Sequence, residues 1–132
     1  MKTKKILSVI LRLVAAGIML QTLYFKFTAQ PESVYIFSQV GIEPWGRIGT
    51  GVAELIASAL LLYRGTVVPG AIMAIGIMLG AVATHLLILG IQVQGDHGQL
   101  FTYAMIVLIS AVALLYIHAE ELALLKARFL KR

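Results

Sequence analysis

Glu54 is the residue around which chemistry could be built. It lies inside Arg47–Tyr63, RIGTGVAELIASALLLY, an apolar run long enough to cross a bilayer as a helix. A carboxylate near the middle of such a span costs about 3 kcal/mol or more unless it is paired or wetted. On a helix, Arg47, Thr50, Gly51, Glu54, Ser58 and Leu61 fall on one stripe. That stripe is polar and small, so it should face other helices and not lipid. Glu54 has two readings: a buried ion-pair member that locks helix register, or a proton, cation or ligand site.

Helix rise places other groups at comparable depth. His85 sits about as far below the end of its span as Glu54 does, while Lys26 and Arg47 sit at the mouth. Arg12 enters from the opposite side with a side chain able to reach toward the middle. With Thr50, Thr84 and Tyr103 these residues outline a polar pocket open toward one face of the membrane. Glu54 is expected to face the bundle interior and to contact at least one of Arg12, Lys26 or His85; Arg12 is the first choice, because a guanidinium keeps its charge and can hold a carboxylate bidentately. Its alternative is to snorkel to headgroups. His85 reads either as a hydrogen-bonded packing residue or as a pocket group.

Metal chemistry has little support. The chain has no cysteine, which removes thiolate sites, thiol catalysis and disulfides. His85, Asp96 and His97 have weak spacing for zinc or copper. Haem ligation by two histidines is also poorly supported, since His85, His97 and His118 lie at different depths. His118, Glu120 and Glu121 read as a solvated helix end. No phosphate-binding glycine loop or Ser-His-Asp constellation occurs.

The elements that must position these groups follow from composition. Of 132 residues, 60% are hydrophobic and 13% charged, more apolar surface than a soluble domain of this size could hide. Four spans at about 6–25, 47–63, 66–91 and 100–117 use nearly the whole length, giving one domain, 1–132, in an all-α four-helix transmembrane bundle. The charged head and apolar run at 1–25 resemble a signal peptide, but Arg12 interrupts the run and no small-residue cleavage site follows, so the spacing predicts a retained helix. Between the first two spans, Pro31 can open a helix and Gly41 can close it. Val34, Phe37 and Val40 recur at helical spacing between them. This segment reads as a short interfacial helix anchored by Tyr24, Tyr35 and Trp45, or as an ordered loop covering the bundle. Gly76 and Gly80 form a GxxxG that permits close helix approach and a homo-oligomer contact. Beyond Ile117 the composition allows the last helix to run on past the membrane surface.

The net charge of +5 is distributed by topology and gives no reason to invoke nucleic acid. With the N-terminus inside, Lys2, Lys4, Lys5, Arg64, Lys126, Arg128, Lys131 and Arg132 share the inner face, against Lys26 and Arg47 outside. Both termini are therefore expected to be cytoplasmic.

Ile10-Leu-Arg12-Leu-Val with Gly17, then Phe25-Lys26-Phe27, the turn Gly41-Ile-Glu-Pro44 and Gly51-x-x-Glu54-Leu together resemble the DoxX-like family along nearly the whole chain. The resemblance implies a four-helix protein of the bacterial inner membrane. Family members include a subunit of an archaeal thiosulfate:quinone oxidoreductase and proteins associated with oxidative-stress and sulfur-redox partners. Thiol-redox relatives carry cysteines, which this chain lacks.

The expected function is that of a small membrane subunit or partner of a redox system. It would hold a quinone or a small sulfur anion, drawn by Lys26 and Arg47, or dock a soluble or membrane redox protein. Glu54 and His85 would relay protons if a quinol is involved. The rival readings are a small transporter or channel with Glu54 as coupling site, and a structural assembly factor using the Gly76/Gly80 face. Whether the chain is an enzyme is left open by its residues.

Overall fold

The computed structural model describes residues 2–131, and helices are its only regular elements. Met1 of the expected basic cap and Arg132 of the basic tail lie outside the described residues. The helices are α1 (Lys2–Phe27), α2 (Pro31–Val40), α3 (Trp45–Leu62), α4 (Val67–Thr84), α5 (Gln99–Ile117) and α6 (Ala119–Leu130). A 3-10 turn, Arg64–Thr66, leads into α4, and a π turn, His85–Leu89, carries α4 onward. Four helical stretches are long and apolar enough to span a membrane: Lys2–Phe27, Trp45–Leu62, Arg64–Leu89 and Gln99–Ile117. They coincide with the four spans expected from hydropathy. The chain is a multi-pass membrane protein, all-α, built as a four-helix bundle.

The spans pack in a ring, α1 on α3, α3 on α4, α4 on α5 and α5 back on α1. The core is made largely of small side chains, with Ala15, Ala57, Ala71, Ala74 and Ala111 all fully buried, filled out by Met19, Leu61, Val107 and Leu114. Lipid is as apolar as leucine, so helices in a membrane associate through close packing and polar contacts. Large residues point outward instead, among them Leu13, Leu55, Leu79 and Ile109. Exposed aromatics ring both ends: Tyr24 and Trp45 at the end nearest α2, Tyr63 and Tyr116 at the end holding both termini.

At Gly70 the backbones of α3 and α4 approach closely. A Cβ there would lie 2.9 Å from the Leu61 backbone nitrogen and from Leu60 Cβ, so α4 can meet α3 only where a side chain is absent. The GxxxG expected to bring helices together does not do so within the chain. A Cβ at Gly76 or Gly80 would meet nothing within 4 Å, because both glycines border a cavity.

The Pro31-to-Gly41 segment forms the short helix expected of it. Gly41 closes it at φ 86°, its N–H donating to the carbonyls of Phe37 (3.0 Å) and Ser38 (3.1 Å). α2 touches α1, α3 and the π turn, so it roofs one end of the bundle. At the other end the expected continuous helix is broken. His118 leaves helical geometry (φ −99°, ψ 32°) and α6 starts afresh. His118 is not merely solvated: its Nε2 lies 2.8 Å from Ser8 Oγ on α1, and its Nδ1 donates to Glu121 Oε1 at 3.1 Å.

Arg12 does not reach Glu54. Its Nε donates to the Leu61 carbonyl at 2.5 Å and its Nη2 to the Leu62 carbonyl at 2.8 Å. These are among the last carbonyls of α3, which lack helical partners and form the negative end of the helix dipole. The contact also fixes register: α3, with 18 residues, ends level with Arg12, while α1, with 26, runs on to Lys2.

Gly70→Leu should push α3 and α4 apart and cost about 1–3 kcal/mol or more, the scale of an overpacked core. Gly76→Ala should be near neutral. Thermal unfolding of both variants in nanodiscs checks this; equal losses would show that Gly70 is not a packing constraint.

Candidate functional site

A cavity of about 540 Å³ occupies the half of the bundle beneath α2. Its wall is mostly apolar, with Ile18, Met19 and Phe25 from α1, Ile36, Phe37 and Val40 from α2, and Ile77, Met78 and Leu89 from α4 and its π turn. The space exists because the facing positions are small. Gly49 and Ala53 of α3 and Gly76, Gly80 and Ala81 of α4 all border it, and a Cβ at Gly49, Gly76 or Gly80 would touch nothing within 4 Å.

Glu54 is 4% exposed and lines this cavity. Its partner is Lys26, with Nζ 3.1 Å from Oε2. Thr22 completes the cluster. Its Oγ1 lies 3.0 Å from Glu54 Oε2 and 2.8 Å from the Met19 carbonyl, with one proton to give, and accepts from Lys26 Nζ at 3.2 Å. Lys26 and Thr22 stand four residues apart on α1, so a single helical turn presents both to the carboxylate. Of the three expected partners, Arg12, Lys26 and His85, the one in contact is Lys26, and the first choice, Arg12, is corrected. Arg12 is occupied by backbone carbonyls near the far end of α3, which leaves the nearer lysine to neutralise Glu54. Glu54 Oε1 has no hydrogen-bond donor among the described residues.

Arg47 also departs from expectation. It is buried but does not line the cavity. Its Nε donates to both carboxylate oxygens of Glu43, at 2.8 and 3.0 Å, and its Nη1 to the Lys26 carbonyl. Both cations expected to attract an anion are thus already paired.

His85 is 5% exposed, in the π turn, with its ring edge-on to Phe101. Its Nδ1 lies 3.0 Å from the Gly90 carbonyl, which can only accept, so Nδ1 carries the proton. In the uncharged tautomer that this contact selects, Nε2 is the acceptor. Thr84 lines the cavity, but its hydroxyl donates to the Gly80 carbonyl at 2.8 Å. Tyr103 accepts from Gln99 Nε2 at 3.0 Å, and Thr50 borders the space from α3. Of the eight candidate residues, the cavity brings together Glu54, Lys26, His85, Thr50, Thr84 and Tyr103; Arg12 and Arg47 lie outside it.

Sequence reasoning missed several lining groups. Gln21 of α1 borders the cavity, as do Glu32 and Ser33 of α2 and Gln99 of α5. Thr22, four residues before Lys26, and Glu43, four before Arg47, were both legible from helical spacing. The α2 residues carried no such signal, because their placement depends on how the helix folds back.

The segment between the π turn and α5 is organised by Asp96. Its Oδ1 accepts from the Val93 and Gly98 N–H groups, both at 2.9 Å, and its Oδ2 from Leu100 N–H at 3.2 Å, at the positive end of α5. Partial burial pushes its carboxyl up, but the three backbone donors and nearby His85 together outweigh this and hold it below its ordinary value. Among the described residues no cluster of three or more His, Asp or Glu could hold a metal ion, and Asp96 is engaged with the backbone.

Fold and site define a class: a multi-pass membrane bundle with a roofed, mostly apolar cavity and a buried ion pair in its wall. Comparison with models of known protein families gives no match, and comparisons with curated proteins and with solved structures give none either.

Removing one partner of a buried pair costs about 3–5 kcal/mol, so Glu54→Gln and Lys26→Met should each be strongly destabilising. The double variant should recover part of the loss, whereas Glu54→Gln and Arg12→Met should simply add. Unfolding in nanodiscs measures both cycles; coupling to Arg12 but not to Lys26 would reverse the pairing.

The Asp96 interaction carries its own pH signature. Because the folded value is depressed, its contribution is complete above the ordinary carboxylate range and is lost as pH falls through the depressed value, below about pH 4. Amide exchange at Val93, Gly98 and Leu100 should accelerate there, and Asp96→Asn should remove that acid dependence.

Proposed function

We propose that this chain is a DoxX-like small membrane subunit of a redox system, and that its cavity holds the ring of a quinone-class molecule. The observation that supports this is the composition of the cavity wall. It is largely apolar, and it carries the acceptor Nε2 of His85 and the unengaged Oε1 of Glu54. Lipophilic ligands take such pockets, with a few placed polar groups fixing orientation. The paired state of Lys26 and Arg47 favours a neutral ring over a small sulfur anion.

When bound, a quinone supplies reversible electron and proton transfer. Lining residues such as Phe37 and Ile77 would hold the ring, α2 would shield it from water, and His85 and Glu54 would be the groups able to hold protons. The electrons require a partner protein, docked from solution or in the membrane.

The same reading places the chain in a bacterial cytoplasmic membrane with both termini cytoplasmic. Lys2, Lys4, Lys5, Arg64, Lys126, Arg128 and Lys131 gather at the terminal end, and among the described lysines and arginines only Lys26 and Arg47 lie near α2.

Purification from bacterial membranes into nanodiscs, followed by extraction, should yield quinone along with phospholipid. Gly80→Leu should fill the cavity without backbone strain, leaving the fold intact and removing the quinone. Phospholipid alone in both extracts, or quinone retained by Gly80→Leu, would rule the cavity out as its site.

A further inference from the structure

We infer that α6 is a surface helix that binds anionic phospholipid headgroups and lies along the membrane at the terminal end of the bundle. Its starting level is set by one hydrogen bond, His118 Nε2 to Ser8 Oγ, which puts the beginning of α6 beside Ser8 of α1. At that level α1 is still apolar and exposed: Ile6, Leu7, Val9 and Ile10 all face outward. The first lysines, Lys5 and Lys4, come about one turn further out, roughly 5 Å along the axis. The exposed Tyr116 ring stands just before the break. α6 therefore begins within the interfacial layer, short of open water.

Its own sequence suits that layer. None of its residues is buried. Ala119, Leu122, Ala123, Leu125, Ala127, Phe129 and Leu130 occupy one broad arc of the helix, and Glu120, Glu121 and Arg128 the other, with the exposed Leu124 among them. Leu122 and Leu125 are half-buried, and Phe129, next on their stripe, is 69% exposed. Lys126 falls inside the apolar arc, where its methylene stem can lie along lipid while the ammonium reaches headgroups. Lys126, Arg128 and Lys131, with Lys2, Lys4 and Lys5 of α1, make this end basic against Glu120 and Glu121 alone among α6 acids. Each lysine or arginine near an anionic surface strengthens attachment about fivefold, and the two features together match the pattern of an interfacial amphipathic helix.

The chain lacks cysteine, so single labels can be placed cleanly in the full-length protein. Nitroxides introduced by Leu125→Cys, Phe129→Cys, Glu120→Cys and Arg128→Cys would be read in nanodiscs by collision with oxygen and with a water-soluble nickel chelate. Labels at Leu125 and Phe129 should favour oxygen several-fold over those at Glu120 and Arg128. The contrast should shrink when phosphatidylglycerol is replaced by phosphatidylcholine, when salt is raised, and in the triple variant Lys126→Gln, Arg128→Gln, Lys131→Gln. Nickel exposure at all four positions would overturn the surface placement. A contrast indifferent to lipid charge and salt would overturn the headgroup attraction. Dipolar coupling between Phe129 labels with low oxygen exposure would instead assign the apolar face to a second copy.

Discussion

An ionised carboxylate inside a bilayer has to be answered by a partner, and the pairing of Glu54 with Lys26 meets that requirement. Its consequences spread along the α1–α3 interface. Lys26 also offers its backbone carbonyl to Arg47, and Arg47 in turn is held by Glu43. Toward the other end of α3, Arg12 takes the Leu61 and Leu62 carbonyls. These contacts specify one register for two helices whose remaining contacts are nearly featureless alanine and leucine. Hydrophobicity alone could not do this in lipid, because sliding one apolar face along another changes little when the solvent is apolar too.

The cavity follows from what that register leaves unfilled. α3 and α4 close on one another at Gly70, yet toward α2 their facing positions are glycine and alanine and the gap stays open. α2 then lies across it. Glycines in membrane helices are often taken as contact points; Gly76 and Gly80 do the opposite here and maintain free volume. The same residue type serves both purposes because the outcome depends on what the opposing helix presents.

Spans, the short helix between Pro31 and Gly41, and the buried stripe of α3 were legible because each rests on a local signal: apolar length, capping residues, helical period. The stripe from Arg47 to Leu61 is buried much as its spacing implied, with Thr50 turned partly to the cavity. Pairings were harder. Choosing Arg12 for Glu54 weighed charge chemistry and nominal depth, but missed the demand made by the free carbonyls ending α3. The break at His118 was also invisible, since residues 118–130 have good helix-forming composition; a side-chain contact to Ser8, more than a hundred positions away, accompanies it.

The unequal lengths of α1 and α3 have a mechanical consequence for the surrounding lipid. At about 1.5 Å per residue, α1 is about 39 Å long and α3 about 27 Å, and they end unevenly at the terminal side. On the flank formed by α1 and α6, acyl chains can extend to the level of Ile6. On the flank formed by the α3–α4 hairpin they meet Arg64 and Tyr63 more than one helical turn sooner. Hydrocarbon beside the hairpin must therefore compress or let the arginine draw water inward, while beside α1 it keeps its full depth. In a bilayer a protein of this shape would act as a wedge, thinning one side of its lipid annulus, and neighbours able to relieve that mismatch would be drawn to the thin side.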